Sequence, residues 1–499
     1  MPETALPDIA PTWKNVAVAL RSAEFEQRWL PALLREARWF GGKAHPLRDV
    51  RVLEFLPLGD SAAGRLALLQ ANYADRPPEI YVLPLQLAPS APGKALVIAR
   101  LNGGVLFDAL HDAAFRDALF ETVLREKRVG VEQGEIAGIC GEKLKAVAAE
   151  LALPLDSLAL AAEQSNSAIV YGGRWFLKLY RKPEAGENPD AELLRFLSER
   201  QKFAHVPAFC GAIEHRAASG ESRTLALVVA NVPSTGDAWT FTLAALARSF
   251  ADEAYPDRAR QLGQRTAEMH LALAADLDDP AFAPEPFTAG DLRSLADTSC
   301  ANARRTLELL RKKIADIPEN IRAVATAVLA REDEILGRFS ALAQHEIIAT
   351  KTRHHGDYHL GQVLETGGDF IIIDFEGEPA RSLAERRMKR SPLRDVAGML
   401  RSFHYAAHTA LAQHPSVKPE SAERWVREIS RTFLDAYFAT AKGASFIPEN
   451  PAARQMLLDV HLLEKAIYEV AYELNHRPDW VFIPLSGIAQ ILENATATS

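Results

Sequence analysis

The segment from residue 353 to residue 379 constrains the fold and the chemistry of this chain more than any other stretch. Asp357 follows a polar run, and Asp374 follows an apolar run of strand type. The paired glycines 367–368 between them are typical of the turn of a β-hairpin. A hairpin would bring the two carboxylates together, and neighbouring carboxylates do not both ionise cheaply without a positive charge between them. The segment therefore predicts either an acid pair that shares a proton or a site for a divalent cation.

Gln362 adds a neutral amide oxygen between the two acids. Hard oxygen ligands with one or two carboxylates suit Mg²⁺ bound together with substrate phosphates. This pattern predicts phosphoryl transfer from ATP to a hydroxyl, a reaction that needs a base, metal ligands and a positive charge on the phosphates. Asp357 is then the expected base, and Gln362 and Asp374 are the expected Mg²⁺ ligands.

Two other chemistries remain open on these residues alone. A glycosidase could pair Asp357 with Asp374 or Glu376, although such an enzyme has no need of the Gln362 amide. His355 and His359 could bind zinc, but they lack the His-Glu-x-x-His spacing of an open zinc site. His355 is instead expected to hold the loop through backbone hydrogen bonds.

The totals describe an ordinary globular protein rather than a membrane or nucleic-acid-binding protein. The 499 residues are too many for one core, and they are 48% hydrophobic and 24% charged, with a net charge of −8. No basic block predicts nucleic-acid binding, and no apolar run predicts a signal peptide or a membrane span. Three scattered cysteines favour a reducing compartment. We therefore expect a cytoplasmic protein.

The chain begins with the pattern of a small α+β domain over residues 1–105. A helix is predicted over 13–38, and antiparallel strands are predicted over 50–58, 65–73, 80–87 and 95–101. The glycine-rich turn at 41–43 suits a helix stop better than a phosphate contact. A further helix is predicted over 106–128.

A lysine on a strand is the main signal between residues 160 and 240. The polar loop Gln164, Ser165, Asn166 and Ser167 precedes two strands joined by the glycine pair 172–173, and Lys178 lies in the second strand. A helix with Glu192 in its first turns follows. A lysine on an apolar strand needs a partner or a ligand, and a strand lysine paired with a helix glutamate positions nucleotide phosphates in kinases. Lys178 and Glu192 are therefore expected to serve ATP.

Long motifs along the chain resemble the bacterial maltokinase family, particularly the kinase portion fused to trehalose synthase. The central motifs are residues 355–364 (HGDYHLGQVL), 374–379 (DFEGEP) and 391–403 (SPLRDVAGMLRSF). The outer ones are residues 38–43 (RWFGGK), 163–167 (EQSNS) and 464–473 (EKAIYEVAYE). The resemblance covers nearly the whole chain.

This resemblance implies an α+β fold, bilobal and protein-kinase-like (aminoglycoside phosphotransferase-like), with an N-terminal cap domain over 1–105. It implies a nucleotide lobe over 106–233 and a mostly helical lobe over 234–499. The implied reaction is ATP- and Mg²⁺-dependent phosphorylation of maltose at its anomeric hydroxyl, for α-glucan synthesis. Gln362 stands where the broader superfamily usually has asparagine.

The acceptor side of the implied site comes from one helix face and from the loop. Lys465, Tyr468 and Tyr472 share a helix face by their spacing and would line the sugar pocket beside His355. Simple packing of the tyrosines is the competing interpretation. A related sugar kinase, such as a glucosamine kinase, is the alternative enzyme. A nucleotide-binding regulatory subunit without catalytic activity is the alternative of another class, and a trehalose synthase in trans is the one protein partner considered.

Overall fold

The computed structural model describes residues 4–6, 9–58, 64–93, 95–160, 165–414 and 416–496. The chain divides into two compact units, Met1–Val232 and Pro233–Ser499. The first unit contains the two large sheets, and the second is mainly helical. None of the helices in these ranges is both long and apolar enough to span a membrane.

The first sheet of the first unit has six strands and is mainly antiparallel. In spatial order its strands are Thr4–Leu6, Val97–Leu101, Gly104–Asp108, Glu79–Ala88, Arg65–Tyr73 and Leu47–Pro57. Helices Trp13–Leu20 and Leu30–Glu36, with a π-helical turn Phe25–Trp29 between them, cover its apolar face. The predicted strands are confirmed. The single helix predicted over 13–38 is interrupted, and it ends before the glycine pair.

The helix predicted over residues 106–128 is wrong in its first part. Gly104–Asp108 forms a strand, Ala109–His111 forms a 3₁₀ turn, and the helix spans only Ala113–Leu124. A short apolar run carries no periodicity that separates a buried strand from a buried helix. The Asp112 carboxylate caps the shorter helix by accepting the N–H of Phe115.

The second sheet of the first unit has seven antiparallel strands. In spatial order they are Arg128–Val131, Gly134–Cys140, Phe209–Ala217, Ser222–Ala230, Trp175–Tyr180, Asn166–Tyr171 and Ser157–Ala159. The predicted hairpin of Asn166–Tyr171 with Trp175–Tyr180 is confirmed. Gly172 and Gly173 both have positive φ in its turn, a conformation that costs other residues free energy. Helix Pro189–Arg195 follows this hairpin along the chain.

The second unit is built mainly from helices. They are Ala238–Arg248, Tyr255–Leu273, Ala289–Lys313, Glu319–Ala330, Glu332–Leu342, Leu383–Arg387, Leu393–Gln413, Pro419–Thr440, Pro451–His476 and Phe482–Thr496. Apolar residues recur at helical spacing over 256–275, 393–410, 425–441 and 451–475, and the structure forms helices there. Helix Phe482–Thr496 was not predicted from the sequence.

The predicted central hairpin is present in the second unit. Val363–Glu365 pairs antiparallel with Phe370–Ile372, and Gly367 has a φ of 79° in the turn. Gly236–Asp237 adds a third short strand beside Val363–Glu365. A separate pair joins Glu285–Pro286 to Thr350–Lys351. The second strand of the hairpin ends at Ile372, so the hairpin fixes the position of the backbone that leads to Asp374.

Two glycines in helices of the second unit lie in opposite surroundings. A Cβ added at Gly263, on helix Tyr255–Leu273, would lie 2.3 Å from the backbone oxygen of Phe433. A Cβ added at Gly337, on helix Glu332–Leu342, would meet nothing within 4 Å. The first glycine permits close helix packing, whereas the second has no packing reason to be glycine.

We therefore expect Gly263→Ala to lower the free energy of unfolding by about 1–3 kcal/mol, the usual range for an overpacked core. Gly337→Ala is the matched control, and it should raise that free energy by about 0.5–1 kcal/mol because alanine favours the helix. Urea denaturation of both variants measures the two effects. A neutral or stabilising Gly263→Ala would contradict the close approach.

Candidate active site

A buried carboxylate holds the loop that carries Asp357. Asp395, on helix Leu393–Gln413, accepts the backbone N–H of His355 at 2.7 Å and that of Gly356 at 2.9 Å. Its Oδ2 also lies 3.1 Å from Nε2 of His270. Burial alone would raise the pKa of Asp395, but the hydrogen bond with His270 and the nearby histidines outweigh burial and lower it. The loop is thus fixed by an ionised group.

His355 connects this loop to the strand that leads to Asp374. Its ring is buried, and its Nε2 lies 2.9 Å from the backbone oxygen of Ile373. Its Nδ1 accepts the N–H of Asp357 at 3.4 Å. This pattern corresponds to the tautomer with hydrogen on Nε2. His355 therefore lies beneath the loop, behind Asp357.

Asp357 has a lysine beside it and remains accessible. Nζ of Lys465, on helix Pro451–His476, lies 3.3 Å from Oδ1 of Asp357. The Asp357 side chain keeps 23% of its surface exposed. The ammonium group of Lys465 also lies 5.2 Å from the ring centroid of Tyr468. The base expected from the sequence is thus a partly exposed carboxylate beside a cation.

These residues open into a cavity of about 310 Å³ within the second unit. Its lining combines apolar, aromatic and charged side chains, as ligand sites do. The charged and aromatic side chains of this lining include Arg305, Asp357, Glu378, Arg381, Arg394, Asp395, Glu464, Lys465 and Tyr468. Burial raises the pKa of Tyr468 to about 12, so its hydroxyl stays a hydrogen-bond donor at neutral pH.

Tyr472 lies one turn beyond the cavity rather than in its lining. Its ring is 6.5 Å from that of Tyr468 and tilted by 28°, and 42% of its surface is exposed. His476 stacks on its other side at 4.4 Å. The structure therefore brings Asp357, Lys465 and Tyr468 together, and places Tyr472 at the outer end of the same helix face.

The residues expected to bind metal lie at the end of the central hairpin. The N–H of Ile373 donates to the backbone oxygen of Gln362 at 3.0 Å. Asp374 is the next residue along the chain, so this bond holds its backbone near that of Gln362. Asp374 has a φ of 66°, an uncommon value for a residue with a side chain. A carboxylate oxygen of Asp374 lies within 4.8 Å of one of Glu376.

Gln362, Asp374 and Glu376 fit Mg²⁺, because all three side chains offer hard oxygen atoms. Glu376 was not among the ligands expected from the sequence. Its place two residues after Asp374, in a turn, was the signal that could have suggested it as a further ligand.

The residues expected to serve the nucleotide lie in the first unit. Nζ of Lys178 lies 3.0 Å from Oδ2 of Asp190, which also accepts the hydroxyl of Tyr180 at 3.1 Å. Asp190 and Glu192 are both buried on helix Pro189–Arg195. Asp190 is therefore a partner of Lys178 that the sequence argument did not name.

Residues 164–167 were predicted to be a polar loop before this hairpin, but Asn166 and Ser167 are the first residues of strand Asn166–Tyr171. Gln164 lies outside the described residues, and Ser165 is exposed in a bend. Ser167 is buried, and its hydroxyl oxygen accepts Nε of Arg181 at 2.8 Å. The Asn166 side-chain oxygen accepts the N–H of Arg181 at 3.4 Å. Asn166 and Ser167 thus bond to Arg181, a residue that the sequence argument did not single out.

The hydrogen bonds around Asp395 generate a stability test. Asp395→Asn keeps one acceptor oxygen and replaces the other with an NH₂ group. One backbone N–H of the loop therefore loses its acceptor, and the other keeps only a neutral one. We expect the free energy of unfolding to fall by about 1.5–3 kcal/mol, the value of a hydrogen bond to a charged group. Asp435→Asn is the matched control, since its pair with Arg431 is exposed and 3.7 Å long, and should change the value by less than about 0.5 kcal/mol. Equal effects of the two changes would contradict the role of Asp395.

Residues 29–112 match the maltokinase N-terminal cap domain family. Among curated proteins, the chain is 28% identical over 345 residues to a glucosamine kinase of Streptacidiphilus jiangxiensis, covering 67% of this chain and 73% of that protein. It is 27% identical to a glucosamine kinase of Mycolicibacterium smegmatis, covering 68% of this chain and 80% of that protein.

Solved structures of glucosamine kinases share the fold. One, in complex with glucosamine, ADP and inorganic phosphate, aligns with a TM-score of 0.65 at 22% identity, over 92% of this chain and 98% of the other. A second crystal form gives a TM-score of 0.68 at 23% identity, over 94% and 99%. The fold is therefore α+β and of the aminoglycoside phosphotransferase-like kinase type, with an N-terminal cap domain. Together with the cap-domain match, these relatives support a sugar kinase of that superfamily.

Proposed function

We propose that this protein is a maltokinase that transfers the γ-phosphoryl group of ATP to the anomeric hydroxyl of maltose. The observation that carries the proposal is the cavity with Asp357 at its edge and Lys465 and Tyr468 in its wall. The match of residues 29–112 to the maltokinase cap domain favours maltose as the acceptor. Maltose 1-phosphate would then serve α-glucan synthesis.

In this proposal Asp357 accepts the proton of the acceptor hydroxyl as the hydroxyl attacks phosphorus. Lys465, 3.3 Å away, would orient the carboxylate before the transfer. General-base help of this kind contributes about 10²–10⁴ in rate. Gln362 and Asp374, with Glu376, would hold Mg²⁺, which neutralises charge on the phosphates when bound. In the first unit, Lys178 would contact the phosphates, with Asp190 and Glu192 on the helix that orients it and the loop 164–167 beside its hairpin.

Glucosamine kinase is the second candidate, because the two curated relatives reported above bear that name. A regulatory subunit without catalytic activity would not need Asp357, Gln362, Asp374 and Lys178 together. A trehalose synthase in trans stays a hypothesis, since it rests only on the resemblance to fused kinases.

A panel of sugars with coupled detection of ADP tests the acceptor. We expect maltose to give the highest kcat/KM, and we expect chelation of divalent ions to abolish turnover until Mg²⁺ is restored. Turnover of glucosamine without turnover of maltose would contradict the maltokinase proposal. ATP binding without ADP release for any sugar would favour the regulatory subunit.

The variant Asp357→Asn tests the base. We expect kcat to fall by about 10²-fold or more, while the melting temperature stays near that of the wild type because the side chain is partly exposed. Asp257→Asn, at an exposed surface pair with Arg260, is the control and should leave both quantities unchanged. Wild-type turnover in Asp357→Asn would exclude Asp357 as the base.

A further inference from the structure

Two arginines and two glutamates bridge one another in the cavity wall, and we call them the paired cluster. Arg394 donates to Glu464 at 2.8 Å and to Glu378 at 3.3 Å. Arg381 donates through Nε to Glu378 at 2.6 Å, and its Nη2 lies 3.6 Å from Glu464. All four side chains line the cavity. Each glutamate therefore faces two guanidinium groups.

The charges of the paired cluster are fixed by their mutual contact. Burial disfavours the charged form of Arg394, but Glu464 and Glu378 outweigh burial and raise its pKa. Burial would raise the pKa of Glu464, yet Arg394 holds it well below its ordinary value. Glu464 is thus ionised, and each glutamate already contacts guanidinium groups before any ligand enters.

The remaining carboxylates of the cavity are matched as well. Asp357 has Lys465 at 3.3 Å, and Asp395 accepts two backbone N–H groups and bonds to His270. Among the described lining residues, every carboxylate thus has a cation or N–H donors beside it. An amino sugar is a cation at neutral pH, and a cation that enters a partly buried site without a carboxylate partner loses hydration without compensation. A sugar hydroxyl needs only ordinary donors and acceptors.

We propose that Arg381 determines the acceptor class, by engaging Glu378 and Glu464 so that the cavity selects neutral sugars and rejects amino sugars. This inference rests on the proposed function and deepens it. Arg381 is the most exposed member of the paired cluster, with 23% of its side chain exposed. Without its guanidinium, Glu378 keeps only the longer contact of its Oε2 with Arg394, so its negative charge is less fully matched.

The first experiment uses the wild-type protein. Glucose and glucosamine differ only in the hydroxyl or ammonium group at C2, so each is measured as a competitive inhibitor of maltose phosphorylation. We expect the inhibition constant of glucosamine to exceed that of glucose by about tenfold or more, the effect of one charged group without a partner. Equal or tighter inhibition by glucosamine would overturn the inference without any variant.

The second experiment uses Arg381→Gln. We expect the ratio of kcat/KM for glucosamine to that for maltose to rise by about tenfold or more, because Glu378 can now accept the ammonium group. The double variant Arg381→Gln with Glu378→Gln removes the freed carboxylate and should abolish this gain. An unchanged ratio in folded Arg381→Gln, or a gain that persists in the double variant, would overturn the role of Arg381.

Arg305→Gln is the matched control. Arg305 lines the same cavity but donates to the amide of Asn302 rather than to a carboxylate. Its removal lowers the positive charge without freeing an acid, so the glucosamine-to-maltose ratio should stay within about threefold, less than one charged hydrogen bond. A tenfold rise in Arg305→Gln would mean that net charge rather than pairing sets the preference, and would overturn the inference.

Failure of the proposed function gives a different pattern. If the wild type phosphorylates another neutral sugar instead of maltose, the maltokinase proposal fails and the same ratios are measured with that sugar. If the wild type phosphorylates glucosamine alone, both the maltokinase proposal and the role of Arg381 fail together.

Discussion

The conformation of the candidate site depends on the buried carboxylate of Asp395. It binds two consecutive backbone N–H groups ahead of Asp357, which fixes the direction in which that side chain leaves the loop. The same helix approaches the loop closely at Gly398, where an added Cβ would lie 2.5 Å from the backbone oxygen of Tyr358. The hydroxyls of Tyr358 and Thr266 bond at 2.9 Å on a third side. The loop is therefore held by groups other than the Asp357 carboxylate.

The carboxylates of the second unit divide into two kinds by their partners. Asp395 and Glu378 are buried, Glu464 keeps 12% of its side chain exposed, and each of the three bonds to two or more donors. Asp357 has one lysine contact at 3.3 Å and partial exposure. A group with several short, charged bonds gives up much free energy when it is protonated, whereas a group with one longer contact gives up less. In the proposed reaction, this difference favours Asp357 over its neighbours as the group that receives the proton.

The central hairpin and the long helices could be predicted from the sequence because their signals are local. Paired glycines between apolar runs specify a turn, and helical periodicity persists over many residues. The partners of the site residues could not be predicted in the same way. Asp395 binds a loop some forty positions earlier in the chain, and only the fold brings them together. Asp190 lies two residues before Glu192 on one helix, and its contact with Lys178 likewise follows from the fold rather than from a local sequence signal.

The role of the motif at residues 38–43 likewise depends on contacts with residues far away in the sequence. The Trp39 ring centroid lies 4.9 Å from Cζ of Arg181, and Arg181 donates to the Val82 backbone oxygen at 3.4 Å. A Cβ at Gly42 would lie 2.1 Å from the Tyr73 hydroxyl, so this glycine serves packing.

The same guanidinium bonds to Ser167, on the strand pair that carries Lys178. Removal of residues 1–105 would take Trp39 and Val82 away from Arg181 and leave it Ser167 and Asp108 as partners. These contacts join residues 1–105 to the strands that follow them, which no boundary drawn from composition alone would reveal.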